Sequence, residues 1–349
     1  MNFASDNWAG AHPAVGAALS EHAGGHAPAY GASELDKQVE KRLCEIFERD
    51  VAVFFVATGT AANGLSLASV ARPGGVAFAH AEAHLIEDEG GAPEFLTGGG
   101  RICPVDGPLG KMDPAKLGKA IRRYPPEFIH AGQPMAVSIT QATEVGTVYS
   151  LEQIAEISAI CRAHRIPLHM DGARFANALV ALGCSPAEMT WKSGVDLLSF
   201  GGTKNGCWCA EAVIVLNPEI GSGLPFLRKR AAQLFSKSRF VAAQFDAYLA
   251  DDLWMRNAAH ANRMAARLAA HAESAASARL AWKPDANEVF VVMPETTREK
   301  LTSAGASFYP WHPPGDFSGT IADGEVLSRL VTSFATTEAE VDRFGELIR

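Results

Sequence analysis

The feature that most constrains this chain is a repeating alternation between residues 35 and 217: short, nearly continuous apolar runs take turns with helical patterns. The runs are VAVFFV at 51–56, VAFAH at 76–80, FIHA at 128–131, MAVSIT at 135–140, IPLHM at 166–170, VDLLSFGG at 195–202 and AVIVL at 212–216. Runs apolar at every position fit strands buried on both faces, whereas alternating runs fit strands with one wet face. The clearest helix between them is LEQIAEISAICRAH at 151–164, with Ser150 and Gln153 at capping-box spacing and Pro167 just past its end. Strand–helix alternation predicts an α/β fold on a mostly parallel sheet.

The tail is patterned differently. Residues 240–275 read as Ala-rich helix, followed by short strands at 279–283, 288–293, 307–311 and 326–334 and a last helix capped by Thr336 or Thr337. This α+β pattern places a boundary near 245, giving a large domain 1–245 with an N-terminal arm 1–34, and a small domain 246–349. A chain of 349 residues suits two domains.

Charge and composition narrow the function. A formal net charge of −8 predicts no attraction to nucleic acid or anionic membrane. No apolar run approaches the ~20 residues that span a bilayer, and Met1 to Gly10 lacks the basic-then-apolar order of a signal peptide. The six cysteines form no CxxC pair, so reduced thiols in a cytoplasmic protein are expected. The eleven histidines make no HxH or HExxH cluster, so no metal is expected, and His260 and His271 read as solvated.

Four local patterns carry chemistry. In FGGTKNG, Lys204 follows a buried strand in a glycine-lined turn; a desolvated lysine amine can attack a carbonyl and form a Schiff base. In HMDGARF, Asp171 sits at a strand's C-terminal end, where α/β sheets place ligand groups. There it either pairs with the ring nitrogen of pyridoxal phosphate (PLP), keeping it protonated, or caps the next helix. In ATGTAANG, Gly59, Thr60 and Ala61 would present N–H groups and a hydroxyl at a helix N-terminus, a geometry that binds phosphate. His84, after the strand VAFAH, could stack on a ring and move protons. All four follow strand ends, and together they point to a PLP enzyme with its cofactor on Lys204.

These motifs, with FASDN at 3–7, AYG at 29–31, AHLIEDEGGAPEF, TQATEVGTVY and RLVTSF, resemble those of the L-threonine aldolases over nearly the whole chain. The resemblance implies a PLP-dependent transferase-like (fold type I) domain with a seven-stranded central sheet. It implies retro-aldol cleavage of L-threonine, L-allo-threonine or related β-hydroxy-α-amino acids to glycine and an aldehyde. A β-eliminating lyase or an aminotransferase on the same fold is the alternative. By resemblance, Lys204 carries the Schiff base, Asp171 pairs with the pyridinium, and His84 stacks on the ring near the substrate hydroxyl. Gly59, Thr60, Ala61, Arg174 and Thr203 join the cofactor contacts, while Ser5, Arg174 and Arg329 hold the substrate carboxylate. A homodimer or homotetramer with active sites at the dimer interface is expected, with segment 22–34 reaching the neighbouring site and Lys229 approaching the phosphate. One departure stands out: Glu144 falls where some branches of the family carry a histidine. The acceptor of the hydroxyl proton is therefore His84, a water ordered by His84 and Asp88, or Glu144, with His84 or water the favoured reading.

Overall fold

Strands buried on both faces have room only in the middle of a sheet, and the central strands of this chain are that kind. In the computed structural model, which describes residues 1–315 and 317–349, β5 (Leu168–Gly172), β6 (Leu197–Gly201) and β7 (Glu211–Val215) are buried at every position. With β1 (Ala52–Val56), β2 (Gly75–His80), β3 (Arg101–Val105) and β4 (Gln133–Thr140) they make a seven-stranded sheet of order β1-β7-β6-β5-β4-β2-β3. Only β7 runs against its neighbours, so the sheet is mostly parallel, as expected.

One expected strand is corrected. FIHA at 128–131 lies in turns, with Phe128 and Ile129 exposed. The seventh strand is β3, RICPV, which opens on Arg101 and contains Pro104, so its sequence carries only a weak strand signal. At the edge next to β2 it need bury only part of its surface and can tolerate a residue without an N–H. The opening segment also holds an unforeseen helix, Pro13–Glu21, capped by His12 and burying only Val15.

Around β6 an aromatic cluster fixes the strand that leads to Lys204. The Phe200 ring meets Phe175, Phe245 and Trp254 at centroid distances of 5.6, 5.7 and 5.8 Å. Burial of such a ring contributes about 3–5 kcal/mol against truncation to alanine.

The tail forms a second, antiparallel sheet of order β10-β11-β9-β8, from β8 (Arg279–Leu280), β9 (Glu288–Pro294), β10 (Tyr309–Pro310) and β11 (Glu325–Val331). The last helix, Glu338–Ile348, begins at Thr337 with a full capping box to Glu340. Residue 245 lies inside the helix Arg239–Leu249; the break falls at 250–252, where Asp251 and Asp252 take positive φ, before the helix Leu253–Ser274. Phe3 joins the core of the second sheet rather than the first, held by backbone bonds to Ser307 and Val331. His260 and His271 are half-buried, bonded to the Thr336 carbonyl (2.7 Å) and Asp342 (3.1 Å), because their helix packs on the last one. Among the described residues no helix is long and apolar enough to cross a membrane.

Candidate active site

Five strands of the main sheet lead at their carboxyl ends into a cavity of about 700 Å³. The end of β1 leads into Ala57–Thr60, β2 into His84, β4 into Thr140 and Glu144, β5 carries Asp171, and β6 leads into Thr203 and Lys204. Because β7 is reversed, its first residue, Glu211, pairs with Gly201 and Val56 at this same edge. The second sheet closes the cavity with Trp311, His312 and Arg329, and the N-terminal segment adds Ser5 and Asn7.

Glycine at 201 and 202 is required by close backbone approach. A Cβ at Gly201 would lie 2.7 Å from the Ala173 carbonyl oxygen, and one at Gly202 would lie 2.7 Å from that of Ala210. The turn carrying Lys204 is pinned behind by Asn205, whose amide donates to Tyr248 Oη (2.7 Å) and the Trp254 carbonyl (2.8 Å). Lys204 itself borders the cavity.

Asp171 is buried and accepts from the Ala173 N–H at 3.0 Å and from Asn63 Nδ2 at 2.7 Å. Thr58 caps the helix Gly59–Ala68, its hydroxyl accepting from the Ala61 N–H. The first helical amides, Gly59 and Thr60, have no intrahelical partner by position and border the cavity. Ala61 departs from expectation: its N–H is already taken by Thr58 and it does not line the cavity. The remaining expected site residues, Ser5, Gly59, Thr60, His84, Asp171, Arg174, Thr203, Lys204 and Arg329, all line this one cavity.

Arg174 is already well partnered. Its Nε and Nη2 meet Asp6 at 2.7 and 3.1 Å, and its Nη1 lies 3.2 Å from Glu288. Burial opposes the charge on this guanidinium, but Asp6 and Glu288 outweigh it and hold its pKa above the ordinary value. Burial likewise opposes ionisation of Asp6, and Arg174 and Lys204 reverse the balance, so its carboxyl titrates lower than usual. The Arg329 guanidinium carbon lies over Trp311, 4.0 Å from the ring centroid, and its Nη1 is 3.9 Å from Glu288. Its pKa is lowered by burial. Ser5 uses its hydroxyl to accept from the Asn7 N–H at 3.1 Å.

Several buried acids in or beside the wall were not singled out from sequence. Glu211 accepts from the Thr203 N–H, and burial pushes its carboxyl up to about 7. Glu288, fully buried on β9, is raised by burial despite its two arginines. Glu89 and Asn63 join His84 to Asp171. Glu144, noted in sequence for its position, is likewise pushed up to about 7 by burial.

An amine, a carboxylate and a helix N-terminus around one cavity are the donor set that PLP requires: an aldehyde partner, a ring-nitrogen partner and a phosphate cradle. Fold and site together define a PLP-dependent enzyme of fold type I.

Comparison with known proteins narrows this further. The sequence pattern described as beta-eliminating lyase matches residues 2–296. The chain is 40% identical to a low specificity L-threonine aldolase of Pseudomonas aeruginosa over 100% of its length and 96% of that protein. It is 39% identical to another from a Pseudomonas species, over 100% of this chain and 97% of that one. A solved threonine aldolase of Leishmania major superposes with a TM-score of 0.91 at 30% identity, covering 100% of this chain and 98% of that one. The chain belongs to the L-threonine aldolase family within the beta-eliminating lyases.

Proposed function

We propose that this protein is a PLP-dependent aldehyde-lyase that cleaves L-threonine, L-allo-threonine or related L-β-hydroxy-α-amino acids to glycine and an aldehyde. The observation that carries the reading is the convergence of Lys204, Asp171 and the Gly59–Thr60 helix terminus on one cavity, in a chain with full-length likeness to threonine aldolases. Bound PLP supplies the electron sink for the pair released when the Cα–Cβ bond breaks.

The protein's share is binding, orientation and proton handling. Lys204 would hold the cofactor through its amine. Asp171 would pair with the ring nitrogen and favour its protonated form. The Gly59 and Thr60 amides, with Thr203, would hold the phosphate at the positive end of a helix. Arg329, Arg174 and Ser5 receive the substrate carboxylate, which fixes the bond to be broken relative to the ring. His84 would border the bound cofactor and would accept the β-hydroxyl proton, directly or through a water held with Asp88. Its proton affinity is raised, first by its hydrogen bond to Glu89.

The molecule works as a large cofactor-holding unit, 1–245 with its arm 1–34, and a smaller unit, 246–349; the separate cores of the two sheets support two units, with the boundary moved to the break at 250–252. It assembles as a homodimer or homotetramer with active sites at the dimer interface. Exposed Trp8, Tyr30, Trp208 and Phe226 support a covering partner, as does an arm helix that buries only Val15. Segment 22–34 would reach the neighbouring site, and Lys229 the phosphate. Six unpaired cysteines support a cytoplasmic setting.

The test is a single cuvette. Purified protein with PLP should absorb in the visible, shift its spectrum with glycine, and release acetaldehyde from L-threonine. Pyruvate or ammonia appearing from serine without aldehyde release from threonine would favour β-elimination instead. A need for a 2-oxo acid would favour transamination.

A further inference from the structure

A buried polar chain runs behind the cavity wall and joins two of the residues assigned above. Asn63, on the helix Gly59–Ala68 and 1% exposed, donates from Nδ2 to Glu89 Oε1 at 2.8 Å and to Asp171 Oδ2 at 2.7 Å. Both contacts are carboxylates, so the amide nitrogen must be the group that faces them; the amide oxygen would meet anions twice. Glu89 Oε1 also lies 3.0 Å from His84 Nδ1. A carboxylate there accepts a hydrogen bond from a protonated Nδ1, which leaves Nε2 for the cavity that His84 lines. The second Glu89 oxygen is buried without a partner, so this carboxylate relies on His84 and Asn63 to offset its desolvation. Chain geometry brings it inward: Gly90 and Gly91 follow with φ of 57° and 78°, turning the backbone into the helix Ala92–Leu96.

We propose that Glu89 is a positioning residue that holds the His84 ring by Nδ1, directs Nε2 into the cavity and, through Asn63, couples the imidazole to Asp171. The coupling to Asp171 rests on the reading that Asp171 meets the cofactor ring. The hold on His84 does not. One amide serves both carboxylates, so a cation arriving at Asp171 draws that carboxylate off Asn63 and changes how firmly Asn63 supports Glu89. Around His84 the charged groups are Glu89 and Asp171, which favour its protonated form, and Lys204, which opposes it. Glu144 accepts the His84 backbone N–H, Glu82, Glu87 and Asp88 flank it on its own segment, and His312 and Arg329 face the cavity from the second sheet.

The experiment is nitrogen NMR of the full chain labelled at histidine, first without PLP, with His84→Asn used to identify the His84 signals. The wild-type protein above the titration should show Nδ1 protonated and Nε2 bare; the opposite tautomer overturns the proposal with no variant needed. Glu89→Gln should lower the proton affinity of His84 by about tenfold or more and mix the tautomers, while Glu89→Asp should restore part of both. An unchanged titration in a folded Glu89→Gln protein also overturns it. Adding PLP should move the His84 titration further in wild type than in Asn63→Ala, where only the direct effect of the cofactor and of Lys204 remains; equal movement in both refutes the coupling through Asn63. In the loaded enzyme, Glu89→Gln should shift the acid limb of the kcat profile downward with little change in KM for threonine. Failure to cleave threonine would sink the proposed activity and leave the His84 tautomer result standing.

Discussion

Glu144 Oε1 accepts the backbone N–H of His84 at 2.8 Å and the Thr140 hydroxyl at the same distance, so the acid after β4 locks the loop after β2. Its other oxygen is buried without a partner. Burial raises this carboxyl from 4.5 to about 7, and Glu211 behaves alike. Between those pH values the folded protein binds more protons than the unfolded chain, so stability falls as pH rises through the window and the loss is complete above about 7. Glu144→Gln removes its share. The Tm of the variant relative to wild type should climb between pH 5 and 7 and level off above, by a few degrees in all; a pH-independent difference in scanning calorimetry would count against the buried, protonated acid.

Lys204→Ala should keep the fold and lose the visible absorption of the PLP-loaded protein. Aldehyde release from threonine should drop by at least about a thousandfold, because the amine that exchanges with substrate is gone. Near-ultraviolet circular dichroism of the two proteins checks that the turn pinned by Asn205 survives. Colour and activity persisting together would mean another amine holds the cofactor.

Arg329 and Glu288 make opposite predictions for the same anion. Arg329→Ala should raise KM for threonine by roughly 10–100-fold, and Arg329→Lys by less, since a lysine keeps the charge but not the planar fork. Glu288→Gln removes one of two carboxylates that face the arginines, so glycine should bind several-fold tighter. The same change should lower Tm, because breaking a buried charge pair costs about 3–5 kcal/mol. Titration with glycine read by absorbance, beside thermal melts, separates the two effects; weaker glycine binding in Glu288→Gln would show that Glu288 aligns the arginines more than it competes.

Gly201→Ala should destabilise by roughly 1–3 kcal/mol through overpacking, since the new methyl meets the Ala173 carbonyl at 2.7 Å. It should also cut activity beyond the loss of fold, because the strain lies three residues before Lys204. Urea melts and specific activity measured on the folded fraction check both, and wild-type values for each would refute the close approach.

The sequence by itself determined the strand–helix alternation, the capped helix at 151–164 and the three local motifs that hold Lys204, Asp171 and the Gly59–Thr60 turn. Each is written in neighbouring residues: periodicity, caps and glycine spacing act over a few positions, so they can be read without knowing what packs where. Tertiary structure alone decided that β3, with Pro104, would be an edge strand while the more apolar FIHA stayed in turns. It alone brought Asn63 to Asp171 across 108 positions, and Arg174 to Asp6 across 168. It also placed Glu288 between two arginines. A glutamate in a sequence is acidic wherever it stands; whether it keeps its proton, holds a histidine or braces a guanidinium depends on burial and on partners that only chain closure supplies.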